Sequence, residues 1–264
     1  SSDVTEGTVA PSSVTFTAAN WNVAQTVTVT GVNDTIDDGN INFSIVTAAA
    51  VSTDTLYSGL NAPDVSVTNN DTSPNAAVIL GSTSLATTEG SSTSTTVVLA
   101  SQPSANVVIT FTASVAGQLT ITPAPLTFTT ANWNVPQTLT INTVNDTVVE
   151  PSRSISIGGV ATSSDTLYQS IAIPAISLQL SDDDLASVAF TAATSQAIEQ
   201  AGNHTVTVRL TIPGGGSLAE SLTVTITDLG TGSAQSPSDY TLTTTSVVFP
   251  AGSTNGATQN VSLT

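Results

Sequence analysis

Apolar and polar residues alternate one for one through most of this chain. In Thr26-Val-Thr-Val-Thr30, Thr138-Leu-Thr-Ile-Asn142 and Leu222-Thr-Val-Thr-Ile226, every second side chain is aliphatic and its neighbours are mostly threonine. A period of two places one face on a core and the other in water, and Val, Ile and Thr suit a pleated, half-buried surface. The same pattern predicts strands at Val14 with Phe16, Phe43 with Ile45, Val65 with Val67, Val78 to Leu80, Thr96 to Leu99 and Val107 to Phe111. It continues at Leu119 with Ile121, Leu126 with Phe128, Ile155 with Ile157, Ile176 to Leu180, Val188 with Phe190, Val206 to Leu210, Val247 to Phe249 and Val261 to Leu263. Gly, Pro, Asn, Asp and Ser separate these segments, and no stretch keeps a helical period long enough to nucleate a helix. Short strands at this spacing predict an all-β chain of antiparallel β-sandwiches of immunoglobulin type.

The strands belong to a repeat. Residues 18–35 and 130–147 share twelve of eighteen identities, and Trp133 follows Trp21, the only other tryptophan, by 112 residues. Each copy has a turn carrying the tryptophan, an alternating strand and an Asn-Asp loop. The spacing sets one complete unit at residues 73–184, large enough to bury its own core. Residues 1–72 read as a unit lacking its first strands, and residues 185–264 as one lacking its last. The chain is therefore expected to begin and end inside domains, as a window on a longer array or with partial ends completed by neighbouring molecules.

Composition narrows the partners. Nineteen acidic residues stand against two basic ones, Arg153 and Arg209, for a formal charge of −17, and lysine is absent. Such a surface repels nucleic acid and anionic membranes, which are bound chiefly through Lys and Arg, and attracts cations. The absence of cysteine excludes disulfides and thiolate metal sites. No apolar run approaches the ~18 residues that membrane insertion requires. His204 is the only histidine, which leaves neither a histidine pair for a metal nor a credible Ser-His-Asp triad. A non-enzymatic protein is expected.

At the third unit the sequence becomes recognisable. Glu199-Gln-Ala-Gly202, Thr205-Val-Thr-Val-Arg-Leu210, Gly230-Thr-Gly-Ser233, Ser238-Asp-Tyr-Thr241 and Phe249-Pro-Ala-Gly-Ser253 resemble the Calx-beta domain, and the first two units resemble a bacterial variant of it. The resemblance covers essentially the whole chain. It implies a sandwich that binds Ca2+ at one end, through several loops and the acidic segment leaving the last strand. In the complete unit those positions are Glu89, then Asn145, Asp146 and Glu150, then Asp182, Asp183 and Asp184. Gln118 replaces one family aspartate, and Arg153 stands where a second glutamate is expected, which implies fewer ions. The first unit offers Asp3, then Asn33, Asp34 and Asp38, then Asn69, Asn70 and Asp71 aligned with the aspartate triplet, its glutamate loop lying before Ser1. The third offers Glu199 and Asp239.

Calcium takes six to eight oxygen ligands in irregular geometry, so carboxylates and amides from several loops suit it. Acidic turns are also stable simply as solvated turns, because Asn-Asp initiates turns on its own account. Trp21 and Trp133 read either as plugs at the end of each sandwich or as a carbohydrate platform, and Tyr57 and Tyr168 either as packing or as a binding surface. Asp165 is expected to face the acidic end of the first unit. The reading favoured by the sequence is a calcium-stabilised segment of an extracellular or cell-surface repeat protein, its partners being calcium ions and neighbouring repeats. An adhesive module that recognises glycans or other surface proteins, and a filament subunit completed by strand exchange, are the alternatives.

Overall fold

The computed structural model describes residues 1–198 and 202–264. It is nearly all β, arranged as tandem immunoglobulin-like sandwiches. In the central unit the chain runs through β5 (Val78–Leu80), β6 (Ser84–Thr88), β7 (Ser92–Leu99), β8 (Val107–Ala113), β9 (Leu119–Thr122), β10 (Leu126–Phe128), β11 (Gln137–Thr143), β12 (Val148–Val149), β13 (Arg153–Ser163) and β14 (Ile176–Ser181). One sheet has the order β10-β8-β13-β14-β6 and the other β5-β7-β11-β9. Val97, Val107, Ile109, Phe128, Leu139, Ile141, Ile155, Ile157, Ile176 and Leu178 are buried between them, all inward members of the alternating pattern. Trp133 packs on the rim of this core.

Within the central unit one pairing departs from the antiparallel expectation. After β5 the chain crosses at Gly81 to the opposite sheet, where β6 lies parallel to β14, with Ser84 beside Ser177. The crossing needs glycine, since a Cβ at residue 81 would meet Thr96 Oγ1 at 2.4 Å. This switch carries the chain from the core to Glu89 on the edge beside β14, where the Glu89 amide donates to Ser181 O.

The first unit contains β1 (Gly7–Ala10), β2 (Thr28–Gly31), β3 (Ile41–Ile45) and β4 (Val65–Asn69), as two antiparallel pairs. Phe43 is buried on Gly7, where any Cβ would overlap its ring; the central unit fills the same place with Leu119 and Ile155. Val14 and Phe16 do not form the expected strand. Their counterparts in β10 pair with β8, and residues 1–72 supply no strand equivalent to β8. Phe16 is consequently 54% exposed and Trp21 71% exposed. The third unit comprises β15 (Ser187–Phe190), β16 (His204–Thr211), β17 (Ser217–Leu218), β18 (Leu222–Thr225), β19 (Ser246–Phe249) and β20 (Thr258–Leu263). It buries a smaller core around Val208, Leu210, Ile212, Phe249 and Val261.

The segment between β13 and β14 closes the other end of the central sandwich. The Tyr168 hydroxyl donates to Ser101 O, and the Asp165 carboxylate accepts the amides of Ser104 at 2.7 Å and Leu167 at 2.9 Å. Burial, at 7% exposure, pushes the Asp165 carboxyl up, but these amide bonds outweigh it and hold it below the ordinary range. A depressed folded-state value means stability that is present above the unfolded value of ~3.9 and is lost as pH falls through the folded one. Asp165→Asn is thus expected to cost about 1.5–3 kcal/mol at pH 7, and the difference should shrink at pH 3; urea unfolding at both pH values checks this, and an equal cost at both would exclude a charge effect.

Candidate metal centre

Two acidic clusters form, one at the same end of each of the first two units. The Glu89 loop turns through Gly90, at φ +68, and a Cβ there would lie 2.6 Å from Asn145 Oδ1. This close approach brings the Asn145-Asp146 loop against Glu89. Asn145 Nδ2 donates to Asp146 O and the Asp146 carboxylate accepts the Val148 amide, so the loop is shaped by its own side chains. From the last strand, Asp182 accepts the Glu150 amide through Oδ2 at 2.8 Å. Three chain segments therefore meet, and Glu89, Asp182, Asp183 and Asp184 each place a carboxylate oxygen within 4.8 Å of the others.

The energetics of this cluster are unfavourable as it stands. Glu89 is 3% exposed and neither of its carboxylate oxygens receives a hydrogen bond; Asp184 Oδ2 is likewise buried without a partner. A buried carboxylate in that condition loses its hydration with no hydrogen bond in return, and the Arg153 guanidinium, 4.0 Å from Glu89 Oε1, offsets only part of the loss. Burial is the largest cause that pushes the Glu89 carboxyl up to about 7, followed by the charges of Asp146, Asp182 and Glu150, with Arg153 opposing. The Asp184 carboxyl is also raised, by burial and then by Asp182, Asp183 and Asp146. Hard oxygens from three segments, three of those oxygens buried without a hydrogen bond and the carboxylates drawn together against their own repulsion, fit a divalent cation such as Ca2+.

In the first unit Glu6, Asp34 and Asp38 come within 4.8 Å of one another, and Asn33, Asn69, Asn70 and Asp71 help line the same cleft of about 210 Å3. Burial and the charges of Asp34, Glu6 and Asp71 raise the Asp38 carboxyl. Glu6 was not anticipated from the sequence. The strand register gives its place: Thr8 faces Thr30 as Thr120 faces Asn142, so Glu6 is the counterpart of Gln118. The 112-residue spacing held that signal. Register also sets the last strand one residue off the 112-residue spacing and two residues off the expected alignment. Phe43 faces Val67 where Ile155 faces Leu178, which sets Asp71, Thr72 and Ser73 level with Asp182, Asp183 and Asp184, in place of the expected Asn69, Asn70 and Asp71.

The remaining expected positions lie apart. Asp3 accepts the amide and hydroxyl of Thr5, closing its own turn. Asp239 accepts the Gln235 amide on an exposed loop, where among the described residues no other acidic group joins it in a cluster. Glu199 lies outside the described residues.

Each acidic loop also touches the following unit. β12 pairs in parallel with β17, Val149 beside Leu218, and the Ser217 amide donates to Thr147 O. Gly216 is required there, because a Cβ would come 1.6 Å from Thr147 O. Earlier in the chain Ile36 bridges to Gln102 in parallel, and the Gln102 amide donates to Thr35 O. A cleft of about 550 Å3 at this first junction is lined by Asp37, Asp38 and Asp165, among others.

A family model described as the Calx-beta domain matches residues 8–73 and 181–264, together more than half of the chain. The residues between include the copy of the first segment at the 112-residue spacing. No curated protein sequence matches the chain. Among solved structures, the chain is similar to CBD12 from CALX1.2, at 17% identity over 70% of this chain and 73% of that one, with a TM-score of 0.33. It is also similar to the apo-form Calx CBD1 domain, at 17% identity over 40% and 96%, with a TM-score of 0.33. A third likeness is to the CsuC-CsuE chaperone-tip adhesion subunit complex of Acinetobacter baumannii, at 7% identity over 69% and 87%, with a TM-score of 0.29. By the family match over its first and third units, carried to the second by the internal repeat, this chain belongs to the Calx-beta domain family.

Proposed function

We propose that this chain is a calcium-stabilised, non-enzymatic structural segment of a long extracellular repeat protein, such as an adhesin stalk or a matrix or surface fibre. The observation that carries the reading is Glu89, buried among Asp182, Asp183 and Asp184 with neither carboxylate oxygen hydrogen-bonded. Glu89, Asn145, Asp146, Glu150 and the three aspartates would hold the ion in the central unit; Glu6, Asp34, Asp38 and Asp71 would do so in the first. The bound ion supplies positive charge that turns mutual repulsion into a clamp on three segments. Those segments include the loops that pair with the next unit, so clamping them stiffens the junctions and converts a string of sandwiches into a rod.

Small-angle scattering of the whole chain tests this. The maximum dimension in calcium is expected to be sharply defined, and EGTA should broaden it toward a mixture of bent forms. Asp182→Ala with Asp184→Ala should give the EGTA-like profile even in calcium. Identical profiles with and without chelator would rule out the junction role.

The exposure of Trp21 favours a second reading, recognition of a glycan or surface partner at the tryptophan turn of the first unit. Glycan-array binding that is lost on Trp21→Ala supports it; no binding by the wild type excludes glycans.

A further inference from the structure

We infer that copies of this chain lie side by side through the outer face of the sheet β5-β7-β11-β9, once the charge on the end loops is masked. Only the dependence on calcium rests on the calcium reading. The net charge of −17 is not spread over the surface. Every Asp and Glu among the described residues lies in a loop or turn, and no strand contains one. The strands of the central unit carry a single charge, Arg153, at the start of β13 in the other sheet. Soluble surfaces ordinarily intersperse charges of both signs, and exposed edge strands are ordinarily blunted by them. The flank of this sandwich has neither safeguard.

Register sets Thr96 and Thr138 in one row of the outer face and Ser94, Thr140 and Thr122 in the next. Among the described residues these hydroxyls make one side-chain bond, accepted by Thr122 from Asn142 at 3.4 Å. A hydroxyl both donates and accepts, so such rows complement identical rows on a second copy. The outer face of the five-stranded sheet is equally free of acidic residues, but there Ser154 and Ser177 bond each other at 3.1 Å and Thr162 donates to Val108 O. The strands of the four-stranded face contain no aromatic residue on which a sugar ring could stack, which favours a copy of the chain over a glycan. Four strands about 4.8 Å apart and about 23 Å long make a face of roughly 400 Å2, half of the ~800 Å2 that each partner of a stable pair buries. One such face is too small by itself, but the array repeats it: β1 and β2 set Thr8 beside Thr30 as β9 and β11 set Thr120 beside Asn142. Weak contacts at successive units then add. Chains lying side by side also bring their acidic ends close, and like charges within a screening length of about 10 Å repel. Cations at those ends remove the repulsion, so association follows calcium.

Sedimentation velocity on the full 264-residue chain tests this. In calcium the weight-average mass is expected to rise with concentration from 26.5 kDa to at least twice that value. In EGTA at low salt it should stay at 26.5 kDa, and in EGTA with about 1 M NaCl, where the screening length falls to about 3 Å, it should rise again. Thr96→Glu with Thr122→Glu should abolish the rise in calcium, whereas the same two charges on the other sheet, Thr110→Glu with Ser156→Glu, should leave most of it. Circular dichroism establishes that each pair is folded, and Thr138→Glu alone replaces the first pair if that pair does not fold. A rise that survives the first pair, or is lost equally with both pairs, overturns the inference, as does one lost only on Phe16→Ala, which would place the contact on the first unit. A chain that stays at 26.5 kDa in both calcium and 1 M NaCl also overturns it, whether or not the threonine face binds a glycan. Association in 1 M NaCl with no response to calcium upholds the face and overturns the calcium reading, so the two failures are distinct.

Discussion

Calcium at one hundred times its dissociation constant is expected to raise the melting temperature of the central unit by roughly 10 °C over its value in EGTA. Binding to the folded state alone contributes about 2.7 kcal/mol at that concentration, and a domain of this size shifts by several degrees per kcal/mol. Glu89→Gln should separate the two halves of the effect. Removing a buried, unpartnered carboxylate is expected to leave the melting temperature in EGTA equal to or above that of the wild type, while most of the calcium-dependent rise disappears. A full calcium response in Glu89→Gln would place the ion elsewhere. In EGTA the sign of the pH dependence follows from the raised value at Glu89. Its contribution is fully present below the ordinary value of 4.5 and is lost as pH rises through about 7, so the metal-free unit should weaken over that window. Thermal scans by circular dichroism at pH 5 and pH 7.5 measure it.

The second large effect contrasts two phenylalanines at the same place in the repeat. Phe128 is fully buried and Phe16 is 54% exposed. Phe128→Ala is expected to cost about 3–5 kcal/mol through lost burial and the cavity left behind. Phe16→Ala should cost no more than ~0.5 kcal/mol, the range for exposed positions. Urea unfolding followed by Trp133 fluorescence, in a Trp21→Phe background, reads the central unit. Equal costs for the two substitutions would mean that the first unit closes over Phe16 in solution.

Much of the candidate site was legible because its loops are built by short-range rules. The Asn-Asp turn forms twice in the same way: Asp34 accepts the Ile36 amide as Asp146 accepts the Val148 amide. Glu89, Asn145, Asp146, Glu150 and Asp182 to Asp184 could be named by resemblance, and the fold brings them to one end. What was missed depended on register. Glu6 is the exception, since the 112-residue spacing already sets it opposite Gln118; the level of Asp71 follows from which residues face one another across a pair of strands, and one slipped residue moves a ligand position without changing the alternation that marks the strand. The switch of sheet at Gly81 was invisible for the same reason, since alternation fixes a face and not a partner.

The tryptophan repeat separates what the sequence by itself determined from what the tertiary structure decided. Asn20 and Asn132 each accept the amide and hydroxyl of the threonine three residues earlier, and Gln25 and Gln137 each donate to a carbonyl ten residues earlier, so the turn is the same in both copies. Those bonds join residues close in sequence and form wherever the sequence occurs. The fates of Trp21 and Trp133, and of Phe16 and Phe128, are opposite, because burial is conferred by strands such as β7 and β8 that come from elsewhere in the chain. The same holds for the acidic ends: each turn follows from its own residues, but a buried, orphaned Glu89 exists only where β6, β11 and β14 have already been brought together.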